Sequence, residues 1–159
     1  MENRELRIKN KNNFFKFFIA FVLIFLIDQG IKYIFLNGFE WESKCISLTL
    51  AINKGVAFSM FAFLGEYLKY IQCLLIAGLA YVFIKEKIIQ NHPFVSGILF
   101  AAAVSNLADR FIRDGVVDYV YWHCWFDFAI FNFADVCIDF AVLMFAYYYF
   151  FGKIPERLA

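Results

Sequence analysis

The segment SNLADRFIRDGVVDY, residues 105–119, follows a long apolar run and is dense in charged and amide side chains. A second polar segment, FNFAD at residues 131–135, opens the next apolar run. Polar and ionisable groups at membrane depth are costly and usually functional. Asp118 and Asp135 belong to different elements, so folding can bring two carboxyl groups together. This pair of carboxyls is the centre of the functional interpretation.

The composition indicates a membrane protein. The chain has 159 residues, of which 63% are hydrophobic and 23 are Phe. Soluble domains contain about 45–50% apolar residues, and the mean hydropathy here is +0.65. A chain this small has too little interior to hide so much apolar surface from water. The net charge of +1 provides no basic surface for nucleic acid.

Four apolar runs, at residues 14–36, 68–84, 94–107 and 131–151, are near the length that crosses a bilayer. A helix needs about 20 residues to span about 30 Å of hydrocarbon. The first run is too long for a signal-peptide core, and no small-x-small cleavage site follows it, so we expect a retained anchor. The sequence predicts four transmembrane helices in a single membrane domain, residues 1–159.

The distribution of basic residues predicts the orientation. Nine of the fifteen Lys and Arg lie in the N-terminal arm, the short second loop and the C-terminal tail. The positive-inside rule then places both termini in the cytoplasm and the two polar segments toward the outer face. Residues 45–50 alternate and carry β-formers, which predicts a strand. The aromatic-rich segment 115–130 is typical of strand or interfacial structure.

The four cysteines and two histidines form no metal-binding pattern. Cys73 and Cys137 lie inside apolar runs, where a small buried hydrophobic side chain is the expected role. Cys45 and Cys124 fall in segments placed on the same side of the membrane. A disulfide between them is possible, and the sequence leaves it open.

Two neighbouring carboxyls permit one type of hydrolysis. Both cannot ionise cheaply, so one pKa rises and the pair shares a proton. The ionised member can activate a water while the protonated member polarises a carbonyl, as in aspartic proteases. The chain offers no Ser-His-Asp set, and its cysteines have no basic partner nearby in sequence.

Other roles for the same residues remain open at this point. Asp118 could be a solvated loop acid, and Asp135 could form a buried ion pair with Arg110 or Lys32. Asp139, one helical turn deeper, could pair with Asp135 instead. Asp28 and Lys32, four apart, could be an ion pair at a helix end. The chain could then be a non-catalytic transporter or assembly factor whose acids relay protons.

Five motifs, in order between the four apolar runs, carry a family resemblance. They are DQGIK at 28–32, NKGVAFS at 53–59, NLADR at 106–110, GVVDY at 115–119 and FNFAD at 131–135. With them the chain resembles the lipoprotein signal peptidases (signal peptidase II), which are bacterial membrane aspartyl proteases. The resemblance covers nearly the whole chain.

The resemblance implies a catalytic dyad of Asp118 and Asp135. It implies a fold of four transmembrane helices with a small β-sheet cradle on the outer face of the cytoplasmic (inner) membrane. It also implies residues that bind substrate or support the site, namely Asp28, Lys32, Asn53, Gly55, Asn106, Asp109, Arg110 and Asn132.

The implied substrate is a prolipoprotein whose cysteine already carries diacylglycerol, and cleavage falls just before that cysteine. The nucleophile is water, so the resemblance implies no metal and no organic cofactor. Membrane lipids are the expected surroundings, and globomycin-type inhibitors are expected to occupy the dyad.

The chain departs from the family pattern in two places. The family usually has a Gly-Gly pair ahead of the Asn of its third motif, whereas here the stretch is AAAVSN, residues 101–106. The residues remain small, which keeps close helix packing possible. Tyr119 stands where the family usually has Phe, which adds a hydroxyl beside Asp118.

Overall fold

The computed structural model describes residues 2–55 and 62–151, which form five helices and one small sheet. The order along the chain is α1 (Glu2–Leu36), β1 (Trp41–Glu42), β2 (Ile46–Asn53), a 3-10 turn (Ala62–Leu64), α2 (Tyr67–Lys85), α3 (Ile88–Asn91), α4 (Pro93–Arg113), β3 (Val116–Trp122) and α5 (Phe133–Phe151). The prediction of four long apolar helices and a small sheet is confirmed.

Four of the helices are long and apolar enough to cross a membrane: residues 10–36 of α1, and all of α2, α4 and α5. The shortest has 19 residues, about 28 Å of helix at 1.5 Å per residue. α4 ends at Arg113, whereas the sequence placed the end of the third span at residue 107. The helix continues because its polar side chains beyond this point find partners inside the protein.

α4 is the central helix of the bundle. In its most apolar window 56% of the residues are buried, compared with 11–17% in the other three spans. Gly97 lets α1 approach closely, since a Cβ there would lie 2.5 Å from the carbonyl oxygen of Phe17. Small residues at helix interfaces allow such approach in membranes, and Ala101 and Ala102 are fully buried on the same helix.

The sheet is antiparallel, with strand order β1-β2-β3. Its main pairing joins β2 to β3, from Ile46 opposite Trp122 to Asn53 opposite Val116, with an irregularity between Leu48 and Ala51. The predicted strand at 45–50 is therefore present and runs on to Asn53. This extension brings Asn53 alongside the segment that carries Asp118.

A disulfide joins Cys45 to Cys124 at the far end of the β2–β3 pair. It settles the pairing that the sequence left open. Cys73 and Cys137 are free, and Cys137 is buried in the bundle, as expected for a small apolar side chain.

Candidate active site

Asp118 lies in β3 and is almost fully buried, with 2% of its surface exposed. Asn53 Nδ2 donates to one carboxyl oxygen at 3.0 Å, and Asn132 Nδ2 donates to the other at 2.7 Å. Burial raises the pKa of Asp118 to about 6, and the nearby charge of Asp135 adds to this, while the two amide donors oppose it. This carboxyl therefore holds a proton more readily than an ordinary aspartate.

Asp135 is the third residue of α5 and forms a reciprocal cap with Asn132. The Asp135 backbone N–H donates to Asn132 Oδ1 at 2.9 Å, and the Asn132 backbone N–H donates to Asp135 Oδ2 at 3.1 Å. This is the capping-box arrangement, here with Asn and Asp in place of Ser or Thr and Glu. Asn106 Nδ2 donates to the other carboxyl oxygen of Asp135 at 2.9 Å.

The first two backbone N–H groups of α5 are bound by side chains from distant parts of the chain. Phe133 N–H donates to the Tyr119 hydroxyl at 2.9 Å, and Ala134 N–H donates to Asp28 Oδ1, also at 2.9 Å. A helix start leaves such groups without intrahelical partners. The Tyr119 hydroxyl and Asp28 thus hold the helix end that positions Asp135.

A buried cluster of charges lies behind the two carboxyls. Lys32 Nζ is 2.7 Å from each of three acceptors, Asp28 Oδ2, Asp109 Oδ2 and Asn106 Oδ1. Lys32, Asp28 and Asp109 are fully buried. An ammonium group has three protons, and here each has an acceptor. These contacts offset the cost of removing the charge from water.

Ser105 and Gln29 complete this cluster, and the sequence did not single them out as site residues. Ser105 Oγ donates to Asp28 Oδ2 at 2.6 Å and accepts from Gln29 Nε2 at 2.8 Å. Gln29 Nε2 also donates to Asp109 Oδ1 at 3.0 Å. The available signals were the place of Gln29 inside the DQGIK motif and a polar residue after the alanines that precede Asn106.

Arg110 joins α4 to two other parts of the chain. Its Nε donates to Gln72 Oε1 on α2 at 3.0 Å, and its Nη2 donates to the Gly55 carbonyl oxygen after β2. Asn53 Oδ1 in turn accepts from the Gly55 N–H at 2.9 Å. The part of the NKGVAFS motif at residues 56–59 lies outside the described residues.

Asp118 and Asp135 line the same cavity, which has a volume of about 580 Å³. Its apolar wall comes mainly from residues 128–131 and α5, and its polar wall from β2, α2 and α4. The lining residues are Asn53, Gln72, Asn106, Arg110, Val116, Asp118, Phe128, Ala129, Ile130, Phe131, Asp135, Val136, Ile138 and Asp139.

The sequence left open an ion pair of Asp135 with Arg110 or with Lys32, and the described residues contain neither pair. Across residues 10–55 and 63–151, neither Arg110 nor Lys32 forms a salt bridge with Asp135, and Lys32 pairs with Asp28 and Asp109. Within the same part of the chain, no three His, Cys, Asp or Glu side chains are placed to hold a metal ion. What the cavity offers is two carboxyls with fixed amide donors, Asp118 buried and Asp135 partly exposed.

The fold and site define a multi-pass membrane protein with a pair of carboxyls on one cavity. The sequence profile of the family Peptidase_A8, signal peptidase (SPase) II, matches residues 20–151. The chain therefore belongs to the signal peptidase II family, is a peptidase, and is a protein of the bacterial inner membrane.

Relatives and solved structures agree with this assignment. The chain is 56% identical to a lipoprotein signal peptidase of Wolinella succinogenes over 134 residues, which is 84% of this chain and 92% of the relative. It is 53% identical to one of Sulfurovum sp. over 126 residues, 79% of this chain and 86% of the relative. A solved bacterial membrane enzyme, studied by the in meso method at 2.3 Å, has a TM-score of 0.69 at 25% identity, covering 87% of this chain and 92% of the other.

Proposed function

We propose that this peptidase hydrolyses its substrate with a water molecule activated by Asp118 and Asp135, and that it cleaves prolipoproteins just before a diacylglyceryl-modified cysteine. The observation that carries the proposal is the arrangement around Asn132. Its side-chain N–H donates to Asp118 and its backbone N–H donates to Asp135. One residue thus orients both carboxyls on the wall of one cavity.

The remaining contacts suit the two carboxyls to share a proton. Each carboxyl receives one amide hydrogen bond on each oxygen, so each can be ionised without an ion pair. Burial opposes a second ionisation. The state needed for general acid–base catalysis has one carboxyl ionised and the other protonated.

In the first step the ionised carboxyl takes a proton from water as the water oxygen bonds to the scissile carbonyl carbon. The protonated carboxyl gives its proton to the carbonyl oxygen, which forms a gem-diol. In the second step the C–N bond breaks and the leaving amine takes the proton from the first carboxyl. One diol hydroxyl returns its proton to the second carboxyl, which restores the starting state and leaves a carboxylic acid.

The expected orientation follows from the basic residues. We propose that both termini face the cytoplasm and that the sheet and cavity lie near the outer face, where a signal peptide ends. Of the basic residues used for this, Lys153 and Arg157 lie outside the described residues. A substrate anchored by its own acyl chains would reach the cavity from the bilayer, and globomycin-type inhibitors would compete for the same place.

The test is a gel-mobility assay of the purified enzyme on a diacylglyceryl-modified prolipoprotein. Asp118→Asn and Asp135→Asn should each abolish cleavage, because neither amide can exchange the required proton. Asp114→Asn is the matched control, since Asp114 is exposed at the end of α4 with a φ of 56°, which Asn tolerates well. Full activity of either dyad variant would disprove the mechanism. Cleavage of the unmodified precursor at the same rate would disprove the substrate assignment.

A further inference from the structure

Asp139 is an acid that the proposed chemistry does not use. It lies on α5 one turn after Asp135, is exposed, and lines the same cavity. The other polar lining residues all form hydrogen bonds within the protein. Across residues 10–55 and 63–151, Asp139 forms neither a hydrogen bond nor a salt bridge. An unpaired acid on a membrane helix is costly and usually marks a substrate path.

Gln72 lines the same cavity from a different helix, α2. Its Oε1 accepts from Arg110 Nε at 3.0 Å. Within the described part of the chain its side-chain N–H groups have no hydrogen-bond partner. Beyond the two carboxyls, the Asp139 carboxylate faces the cavity as an acceptor and the Gln72 amide as a donor.

A signal peptide needs both kinds of group. Its apolar part is helical in the bilayer, and the residues around the scissile bond must unwind to reach a catalytic pair. Unwinding leaves helix-end carbonyls without donors and the next N–H groups without acceptors. In hydrocarbon each unsatisfied group costs several kcal/mol, so an enzyme that supplies partners at this depth lowers the cost of unwinding.

We propose that Asp139 and Gln72 form a subsite for the substrate backbone on the N-terminal side of the scissile bond, where they hold the signal peptide unwound. This rests on the function proposed above. Four residues of helix separate Asp139 from Asp135, which is about 6 Å along α5. An extended peptide covers that distance in about two residues. The subsite would meet the second and third residues before the cleaved bond.

The experiment compares two lipid-modified substrates that differ at those two residues, Ala-Ala in one and Gly-Gly in the other. Gly disfavours helix by about 1 kcal/mol per residue relative to Ala, so the Gly-Gly substrate is already inclined to unwind. Asp139→Leu and Gln72→Leu are each normalised to the wild type on the same substrate. Phe140→Leu is the control, because Phe140 is an exposed neighbour on α5 that does not line the cavity.

For Asp139→Leu we expect kcat/KM to fall about tenfold on the Ala-Ala substrate, the loss typical of one hydrogen bond to a charged group. On the Gly-Gly substrate the fold-loss should be about the same, because the subsite binds backbone groups that both substrates have, while the easier unwinding of Gly-Gly should raise kcat/KM of wild type and variant alike. Asp139→Asn keeps an acceptor oxygen and should lie between the wild type and Asp139→Leu. No loss on either substrate would overturn the subsite, and so would a loss on the Ala-Ala substrate alone, which would indicate contact with the substrate side chains and not with its backbone. If the wild type cleaved neither substrate, the proposed function itself would fail.

Discussion

Asn132 Nδ2 lies 2.7 Å from Asp118 Oδ1, although Asn132 also caps the helix that carries Asp135. The same side chain therefore serves stability and the orientation of the carboxyl pair. These two roles can be separated by substitution, because capping requires only an acceptor oxygen. The bond to Asp118 requires an amide donor.

Asn132→Ala should lose both roles, whereas Asn132→Ser should lose mainly the bond to Asp118. We expect Asn132→Ala to lower the free energy of unfolding by about 1–2 kcal/mol, the usual cost of a lost cap. Asn132→Ser should recover most of that stability, since Ser is a good N-cap. Both should lose activity by about a hundredfold, because Asp118 is no longer held. An active Asn132→Ser enzyme would contradict this role.

The pKa of Asp118 predicts how stability changes with pH. The pKa is about 6 in the folded protein compared with an ordinary value of 3.8, so between these values the folded state holds a proton that the unfolded state has lost. The wild type should therefore lose stability as pH rises from about 4 to about 6. Asp118→Asn has no carboxyl to titrate at this position. Over the same pH range its free energy of unfolding relative to the wild type should therefore rise by up to about 3 kcal/mol. Thermal unfolding in detergent at pH 4 to 7 measures this, and parallel curves would contradict it.

Lys32→Met should be strongly destabilising. It separates the buried Asp28 from its cation, while Asp109 keeps an ion pair with Arg113. Breaking one side of a buried pair costs about 3–5 kcal/mol. Lys69→Met is the control, since the Lys69 ammonium lies 4.0 Å from the carboxylate of the exposed Asp114. That pair should be worth less than about 1 kcal/mol. The measurement is thermal unfolding of both variants, and equal shifts would argue against the buried cluster.

Gly97→Ala should weaken the contact between α1 and α4. The added Cβ would lie 2.5 Å from Phe17 O and 2.8 Å from Ala20 Cβ, so the helices must separate, at a cost of about 1–3 kcal/mol. Gly78→Ala on α2 meets nothing within 4 Å and should be neutral or slightly stabilising, because Ala favours helix. Stabilisation of both variants would show that helix propensity, and not packing, decides.

The Cys45–Cys124 disulfide allows predictions of the stability of the fold and of the side of the membrane that the sheet faces. Mass analysis after thiol alkylation should find two free cysteines, Cys73 and Cys137, in the unreduced protein. Reduction, or replacement of both bonded cysteines by Ser, should lower stability by about 2–4 kcal/mol. The bond forms in cells only if this end of the sheet faces an oxidising compartment. Four alkylated cysteines in protein purified from membranes would contradict the proposed outward orientation.

Much of this protein could be predicted from the sequence because the relevant physics is local. Long apolar runs must satisfy their backbone within a helix when they lie in lipid, so the four spans follow from composition and length. The polar motifs between them identified the family and predicted the two aspartates as the catalytic pair. These features depend on residues close together in the chain.

Only the tertiary structure decided which distant groups meet. Asp28 accepts a hydrogen bond from the Ala134 N–H across 106 residues, the Tyr119 hydroxyl accepts one from the preceding N–H of the same helix, that of Phe133, and Lys32 pairs with Asp109. Roles for Ser105 and Gln29 could not be assigned from the sequence, and Asp139, the alternative partner of Asp135, lies on the wall of the same cavity. Such pairings depend on how each helix is rotated and how closely it packs. Sequence spacing does not specify these because a polar side chain inside a bundle accepts any partner that reaches it.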